Sequence, residues 1–265
     1  MKTNIKLFFG CLLAVSLATV AYGCKGKASN TDNATDTVAT AKPVGPSFNA
    51  DSAYAFTAAQ CDFGPRVMNS AAHDKCGKWI VEKFKEYGCD VQEQKADLKA
   101  YDGTVLKSTN IIARFNPEAK KRILICAHWD SRPWADNDPD STNHRKPVMA
   151  ANDGASGVAV MLEIARQLQA DKKLKVGVDF VCFDAEDWGI PRWETRYQDD
   201  GDSWALGAQY YAKNFPTPVK PEFGILLDMV GGEGAQFYRE GMSIQFASDV
   251  VNRVWEAAKG AGFSS

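Results

Sequence analysis

Three acidic residues lie within four positions, directly after an apolar run. Residues 178–183 are mostly apolar, β-branched or aromatic, which predicts a buried strand, and Asp184, Glu186 and Asp187 follow it. Ligand-binding groups of open α/β sheets collect at the carboxyl ends of strands. Neighbouring side chains of an extended chain point in opposite directions, so one of Glu186 and Asp187 could hold a metal ion while the other transfers protons. Acidic strand ends are often merely solvated, so this group needs support from other strand ends.

Polar residues also end two other predicted strands and open a predicted helix. His128 follows an apolar run, Asp228 ends a later one, and Asp153 precedes a helix, with Gly154 and Gly157 predicting a tight turn. Amide groups at a helix N-terminus favour an ionised carboxylate, the form that a metal ligand must have. Asp153 alone would equally suit a helix cap, and His128 could be a ligand or could orient one. One histidine with several carboxylates suits a catalytic zinc site.

The elements that must position these residues alternate along the chain. Helices are predicted over residues 51–61, 71–87, 155–168, 203–213 and 249–259, and strands over 90–96, 110–115, 122–127, 178–183 and 223–229. Asp102 and Gly103 predict a hairpin turn between the first two strands. Strands that alternate with helices predict a layered α/β/α fold.

Composition limits the classes of function. The chain has 265 residues, 45% hydrophobic and 24% charged, which suits one large α/β core. Its formal net charge of −2 gives no electrostatic footprint for nucleic acid, and we expect no nucleic-acid partner. The cysteines beyond position 24 form no CxxC pair, so their spacing does not suit a zinc–thiolate site.

The N-terminus has the pattern of an export signal. Lys2 and Lys6 precede the apolar residues 7–18, which are too few to span a bilayer comfortably, and small residues precede Cys24. This resembles a bacterial lipoprotein cleavage site, although plain secretion is the alternative. We predict a signal peptide over 1–23, a disordered tether over 24–47 and a catalytic domain over 48–265. The protein would then be periplasmic or membrane-anchored, and would meet the membrane only through a lipid on Cys24.

Four ordered motifs carry a family resemblance. They are His128-Trp129-Asp130-Ser131, Asn152-Asp153-Gly154-Ala155-Ser156-Gly157, Phe183-Asp184-Ala185-Glu186-Asp187 and Leu226-Leu227-Asp228. In order and spacing they resemble the zinc-dependent aminopeptidase and glutaminyl cyclase superfamily. Residues 63–66 and 204–210 look more like its bacterial cyclase branch. The resemblance implies a three-layer α/β/α sandwich around a central mixed, mostly parallel sheet.

The cyclase branch implies a specific set of roles. One zinc ion would be held by Asp153, Asp187 and a C-terminal histidine, and it would polarise the side-chain amide of an N-terminal glutamine. Glu186 would take a proton from the α-amine and pass it to departing ammonia, with Asp228 in a hydrogen-bonded relay. The product would be pyroglutamate at a peptide or protein N-terminus. Trp193 is a candidate wall of the substrate pocket, or else an ordinary surface or core residue.

The aminopeptidase branch implies a different use of the same residues. Two zinc ions would be held by His128, Asp153, Asp187, Asp228 and a C-terminal histidine. Glu186 would then activate a zinc-bound water that hydrolyses the first peptide bond. Asp187 stands where aminopeptidases usually have glutamate, and this favours the cyclases.

The histidine count departs from both patterns. His73, His128 and His144 are the only histidines, so no histidine after Asp228 can be the third ligand. We therefore expect that the catalytic domain lacks its C-terminal portion in this sequence. A non-catalytic protein that kept the fold and lost the metal is the third hypothesis, which the retained acids argue against. We expect a monomer.

Overall fold

One five-stranded mixed sheet carries the site. The computed structural model describes residues 45–170, 174–199, 201–216 and 219–263. The strands are β1 (Asp90–Lys99), β2 (Val105–Phe115), β3 (Arg122–His128), β4 (Gly177–Phe183) and β5 (Gly224–Leu226), in the spatial order β1-β2-β4-β3-β5. Every residue of β4 is buried, as expected for a strand with helices on both faces.

The strand directions agree with the predicted sheet. β2 pairs antiparallel with both β1 and β4, whereas β3 pairs parallel with both β4 and β5. Four of the five strands therefore run in the same direction, with β2 opposed, and the prediction of a mixed, mostly parallel sheet is confirmed. The predicted turn at Asp102 and Gly103 joins β1 to β2, and Gly103 has the positive φ of +86° that such a turn favours in glycine.

Helices cover both faces of the sheet. They are α1 (Ala50–Asp62), α2 (Ala71–Glu86), α3 (Ser156–Ala170), α4 (Leu206–Lys213) and α5 (Gly241–Gly260). On one face of the sheet, Phe180 of β4 packs with Phe84 of α2 and Met161 of α3. On the other face, Val181 of β4 packs with Tyr211 of α4. Because successive side chains of a strand point to opposite faces, these two clusters are separate layers of the core. The α/β/α prediction is confirmed.

Several predicted elements have different bounds in the structure: β1 and β2 are longer than predicted, and α4 and β5 are shorter. The predicted last helix, 249–259, matches the part of α5 that follows a kink at Ala247, where φ is −148° and ψ is 44°. An additional helical stretch precedes the kink, and Glu240 caps it by accepting hydrogen bonds from the amides of Met242 and Ser243. β5 ends at Leu226 and not at 229, so Asp228 lies two residues past the strand. β5 pairs with β3 alone among the described strands, and an edge strand needs no long apolar run.

The predicted signal peptide and all but the last three residues of the predicted tether lie outside the described residues. Within the described ranges, none of the helices has both the length and the apolar character needed to cross a bilayer.

Candidate metal site

The candidate residues meet where parallel strands end. The register pairs His128 with Phe183, and Cys126 with Leu226, so the segments that leave β3, β4 and β5 start at one edge of the sheet. Ligand atoms of His128, Asp153 and Asp187 all lie within 4.8 Å of one another. These three side chains therefore lie close together, as the strand ends predicted, and the chemical role of each one stays a prediction.

His128 is the centre of this group. Its Nε2 lies 2.8 Å from Oδ1 of Asp153 and 3.6 Å from Oδ1 of Asp228. Its Nδ1 lies 3.6 Å from Oδ1 of Asp130 and 3.9 Å from Oε2 of Glu186. Burial by itself would lower the pKa of His128, but the contacts with Asp130, Asp153 and Asp228 raise it well above its ordinary value. One imidazole thus lies among four carboxylates.

Asp130 holds the turn that presents two of the predicted residues. Its fully buried carboxylate accepts hydrogen bonds from the backbone amides of Glu186, at 3.0 Å, and Asp187, at 3.1 Å. Burial would raise the pKa of Asp130, but His128 and these two amides hold it below its ordinary value. Asp130 belongs to one of the four sequence motifs, but no role was predicted for it. Its position two residues after His128, at the same strand end, was the available signal.

Of the three acidic residues that follow β4, Asp184 does not belong to the site. Asp184 is fully buried, and its carboxylate accepts hydrogen bonds from the backbone amides of Thr109, at 2.6 Å, and Ala185, at 3.0 Å. It also lies 2.9 Å from Nε2 of His73, whose ring stacks on Trp129 at 4.1 Å. Asp184 therefore anchors the end of β4, while Glu186 and Asp187 face His128 and its neighbours.

The two glycines after Asp153 allow a close approach between elements. Gly154 lies in a single π-helical turn, Ala151–Ala155, and neither glycine has a positive φ. A Cβ at Gly154 would lie 2.6 Å from the carbonyl oxygen of His128, and one at Gly157 would clash with the carbonyl oxygen of Leu227. These glycines let the start of α3 approach the ends of β3 and β5 closely, which brings Asp153 to His128.

Strained backbone surrounds the site. Ala150, Ala185 and Met229 have φ values of +57°, +51° and +51°, in the left-handed region that residues with a Cβ rarely adopt. Asp153 lies in a single π-helical turn, Ala151–Ala155, with non-helical dihedral angles of −102° and 91°. Such strain costs roughly 1–3 kcal/mol per residue and concentrates at functional sites. Here it directs Asp153, Glu186 and Asp228 towards the same point.

Burial and neighbouring charges raise the pKa values of Glu186 and Asp187. Burial, with the charges of Asp130 and Glu186, raises the pKa of Asp187 to about 8. Burial, with the charges of Asp130, Asp153 and Asp228, raises that of Glu186 to about 7, although His128 opposes the shift. A cation would stabilise the ionised forms, and an imidazole with two carboxylates is a donor set that zinc accepts. The residues present therefore fit the predicted metal.

Trp193 lies on a neighbouring loop. Its ring stacks on His144 at 6.4 Å and meets Trp134 edge-on at 6.0 Å, and the guanidinium of Arg145 lies 4.8 Å from its centroid. Trp193 borders a cavity of about 440 Å³ together with Asp136, Pro139 and Arg192. Its predicted contact with substrate stays a prediction.

The chain is similar to known proteins over this region. The model of peptidase family M28 matches residues 110–265. A glutaminyl cyclase of Bacteroides thetaiotaomicron, solved with bound N-acetylhistamine, is 50% identical, with a TM-score of 0.80 over 82% of this chain and 74% of that one. A Zn-dependent exopeptidase from Parabacteroides distasonis is 51% identical, with a TM-score of 0.79 over the same shares of the two chains.

A curated relative is more distant. The glutaminyl-peptide cyclotransferase of Drosophila melanogaster is 26% identical over 66% of this chain and 47% of its own length. The chain thus spans less than half of this relative and about three quarters of each of the two solved proteins.

The raised pKa values predict pH-dependent metal binding. In the metal-free protein Asp187 is protonated below about pH 8. A ligand must lose its proton, so zinc affinity should rise with pH through the neutral range and level off above Asp187's pKa. Calorimetry in two buffers of different ionisation enthalpy would measure the accompanying proton release. Asp187→Asn should release fewer protons, and a zinc affinity that does not change between about pH 6 and pH 8 would contradict the assignment.

Proposed function

The chain belongs to peptidase family M28, and from this premise we propose that it is a zinc-dependent glutaminyl-peptide cyclotransferase. It would convert the N-terminal glutamine of a peptide or protein to pyroglutamate and release ammonia. One observation carries the proposal: a glutamate with a pKa of about 7 lies beside a cluster of possible metal ligands. The similarity to the cyclase of Bacteroides thetaiotaomicron supports this choice of reaction.

Asp153 and Asp187 would hold one zinc ion. Their carboxylate oxygens lie with the His128 imidazole within 4.8 Å of one another, so His128 is close enough to supply a third ligand in this chain. When bound, zinc would polarise the side-chain amide of the substrate glutamine and make its carbon more electrophilic. Asp130 would keep Asp187 in place through the backbone amide of that residue.

Glu186 would move the proton. The α-amine nitrogen of the substrate bonds to the side-chain amide carbon, and the bond from that carbon to its own amide nitrogen breaks. Glu186 accepts a proton from the attacking amine and delivers it to the departing nitrogen, which leaves as ammonia. A general base works best with a pKa near the operating pH, and burial, with the charges of the neighbouring carboxylates, gives Glu186 such a value.

Asp228 would act on Glu186 through His128. It lies 3.6 Å from Nε2 of His128, whose Nδ1 lies 3.9 Å from Glu186. The contact with His128 lowers the pKa of Asp228, so that Asp228 is ionised at neutral pH. In the metal-free protein an ionised Asp228 stabilises a protonated His128, and that charge in turn favours the ionised form of Glu186. The predicted relay joins Asp228 and Glu186, and the ring of His128 lies between them.

Trp193 would form one wall of the pocket for the first substrate residue. Its flat ring borders a cavity of about 440 Å³, and large aromatic side chains commonly line pockets that bind small apolar or amide groups. The partner would be a free peptide N-terminus, and the enzyme would act as a monomer.

A two-zinc aminopeptidase is the second candidate. Asp153 and Asp228 both lie next to Nε2 of His128, at 2.8 and 3.6 Å, so that the three side chains together could serve a second ion. Similarity to a Zn-dependent exopeptidase favours this reading. Glu186 would then take a proton from water and not from an amine.

We also propose that the protein is exported and anchored by a lipid on Cys24. Support comes from the basic, apolar and small-residue pattern of residues 1–24. Cell fractionation should find the protein with membranes, and Cys24→Ser should release it to the soluble periplasmic fraction. A wild-type protein found in the cytoplasm would contradict the proposal.

Incubation with a glutamine-initiated peptide tests the proposed reaction. The zinc-loaded protein should release ammonia and shorten no peptide. Glu186→Gln should bind as much zinc and lose at least about 100-fold in kcat, because it removes the base and leaves Asp153 and Asp187 unchanged. Release of free glutamine with two zinc ions per chain would support the aminopeptidase. Loss of zinc from Glu186→Gln would show that the roles of Glu186 and Asp187 are wrongly assigned.

A further inference from the structure

We propose that Arg132 and Asp136 form a positioning pair that fixes both the metal ligand Asp187 and the loop that carries Trp193. The inference rests on the proposed function, because it gives these two residues a part in the same site. Arg132 is 8% exposed and Asp136 is 4% exposed, so the pair is almost wholly buried.

The guanidinium of Arg132 donates two parallel hydrogen bonds to the carboxylate of Asp136, an arrangement that we call the fork. Arg132 Nε donates to Oδ1 of Asp136, and Nη2 donates to Oδ2, each at 2.6 Å. Burial would raise the pKa of Asp136, but Arg132 and the amide of Arg192 hold it below its ordinary value. The rings of Trp134 and Trp204 lie 5.5 and 4.6 Å from the guanidinium carbon, so the fork is also enclosed by aromatic faces.

The third arm of the guanidinium reaches the metal site. Nη1 of Arg132 donates to the backbone carbonyl of Asp187 at 3.0 Å. The amide of Asp187 already donates to Asp130 at 3.1 Å. Asp187 is therefore held at its N–H and at its C=O by two residues of one short segment after β3, and its carboxylate is left to bind metal.

The carboxylate of Asp136 also contacts the loop that carries Trp193. Oδ2 of Asp136 accepts a hydrogen bond at 3.0 Å from the backbone amide of Arg192, the residue before Trp193. Asp136 and Trp193 also border the same cavity. One ion pair thus joins the backbone of a metal ligand to that of the proposed pocket wall, and a shift of either loop would be passed to the other.

Stability alone does not explain such a pair. A buried ion pair contributes little net stability because desolvation of the two charges offsets their attraction. By contrast, groups that orient metal ligands commonly change metal affinity or activity by about 10–100-fold when they are removed. A positioning role therefore predicts effects on zinc affinity and on KM that a structural ion pair would not have.

The chain contains a matched control for this distinction. Arg122 makes a similar buried fork with Asp179, in which Nη2 donates to Oδ1 at 2.7 Å and Nε donates to Oδ2 at 3.1 Å, and its Nη1 donates to the carbonyl of Asn116 at 2.6 Å. Arg122 is the first residue of β3, at the opposite end of the strand from His128. Arg122→Lys should reduce stability without reaching the site.

The experiment compares Arg132→Lys, Asp136→Asn and Arg122→Lys. Zinc affinity is measured by competition with a chelator, KM and kcat by ammonia release, and stability by chemical denaturation of each metal-free protein. Arg132→Lys should weaken zinc binding by about 10-fold or more, because a single ammonium cannot hold both the fork and the Asp187 carbonyl. Asp136→Asn should raise KM more than it lowers kcat, because it loosens the Arg192 amide. Arg122→Lys should lower stability and leave zinc affinity and KM unchanged.

Two results separate this inference from the proposed function. If Arg132→Lys and Asp136→Asn lose stability as Arg122→Lys does, with zinc affinity and KM unchanged, the pair is only structural and the inference is overturned. If Arg132→Lys does not fold, the zinc affinity and KM of Asp136→Asn decide the same question. A wild-type protein that binds zinc but releases no ammonia would overturn the cyclase assignment, and zinc affinity would still test the pair. A wild-type protein that binds no zinc would overturn both.

Discussion

The geometry of the site depends on the two hydrogen bonds that the Asp130 carboxylate accepts from the amides of Glu186 and Asp187. They join the end of β3 to the turn that leaves β4, and they fix the two residues to which the sequence assigns metal binding and proton transfer. The same carboxylate lies 3.6 Å from Nδ1 of His128. One buried side chain therefore sets the relative positions of a histidine, a possible ligand and a possible base.

The remaining features bring negative charge to this point at a cost in local stability. Asp153 arrives on a strained turn, Ala185 and Met229 have left-handed backbone, and Gly154 and Gly157 remove the Cβ atoms that would keep α3 away. Burial raises the pKa values of Glu186 and Asp187, and the charges of neighbouring carboxylates raise them further. Strain and repulsion of this kind are typical of functional sites, where a bound cation or a reaction step makes use of them.

The sequence predicted the parts of the fold that local patterns determine. Apolar runs gave β3 and β4 to within one residue at each end, and the rule for strand ends brought His128, Asp153 and Asp187 together. The stretch of α5 before the kink at Ala247 was not predicted because it exposes Met242 and Phe246, so that no buried apolar face marks it. Asp228 proved to lie beyond its strand, in a left-handed turn that apolar periodicity does not reveal.

The supporting contacts could not be predicted because they join distant residues of ordinary type. Arg132 reaches the carbonyl of Asp187, 55 positions away, and His73 reaches Asp184, 111 positions away. Nothing in the local sequence distinguishes these side chains from solvated ones. The close approach that Gly154 and Gly157 allow was not predicted, because close approach between elements is a property of the tertiary fold.

We propose that Asp153 and Asp187, organised around His128, bind a catalytic zinc ion. Diffraction from crystals grown with zinc, recorded on both sides of the zinc absorption edge, would locate the ion. We expect one anomalous peak between the carboxylates of Asp153 and Asp187, with Glu186 beside it and outside the coordination sphere. An absence of anomalous density between these two carboxylates, with zinc bound elsewhere or not at all, would contradict it.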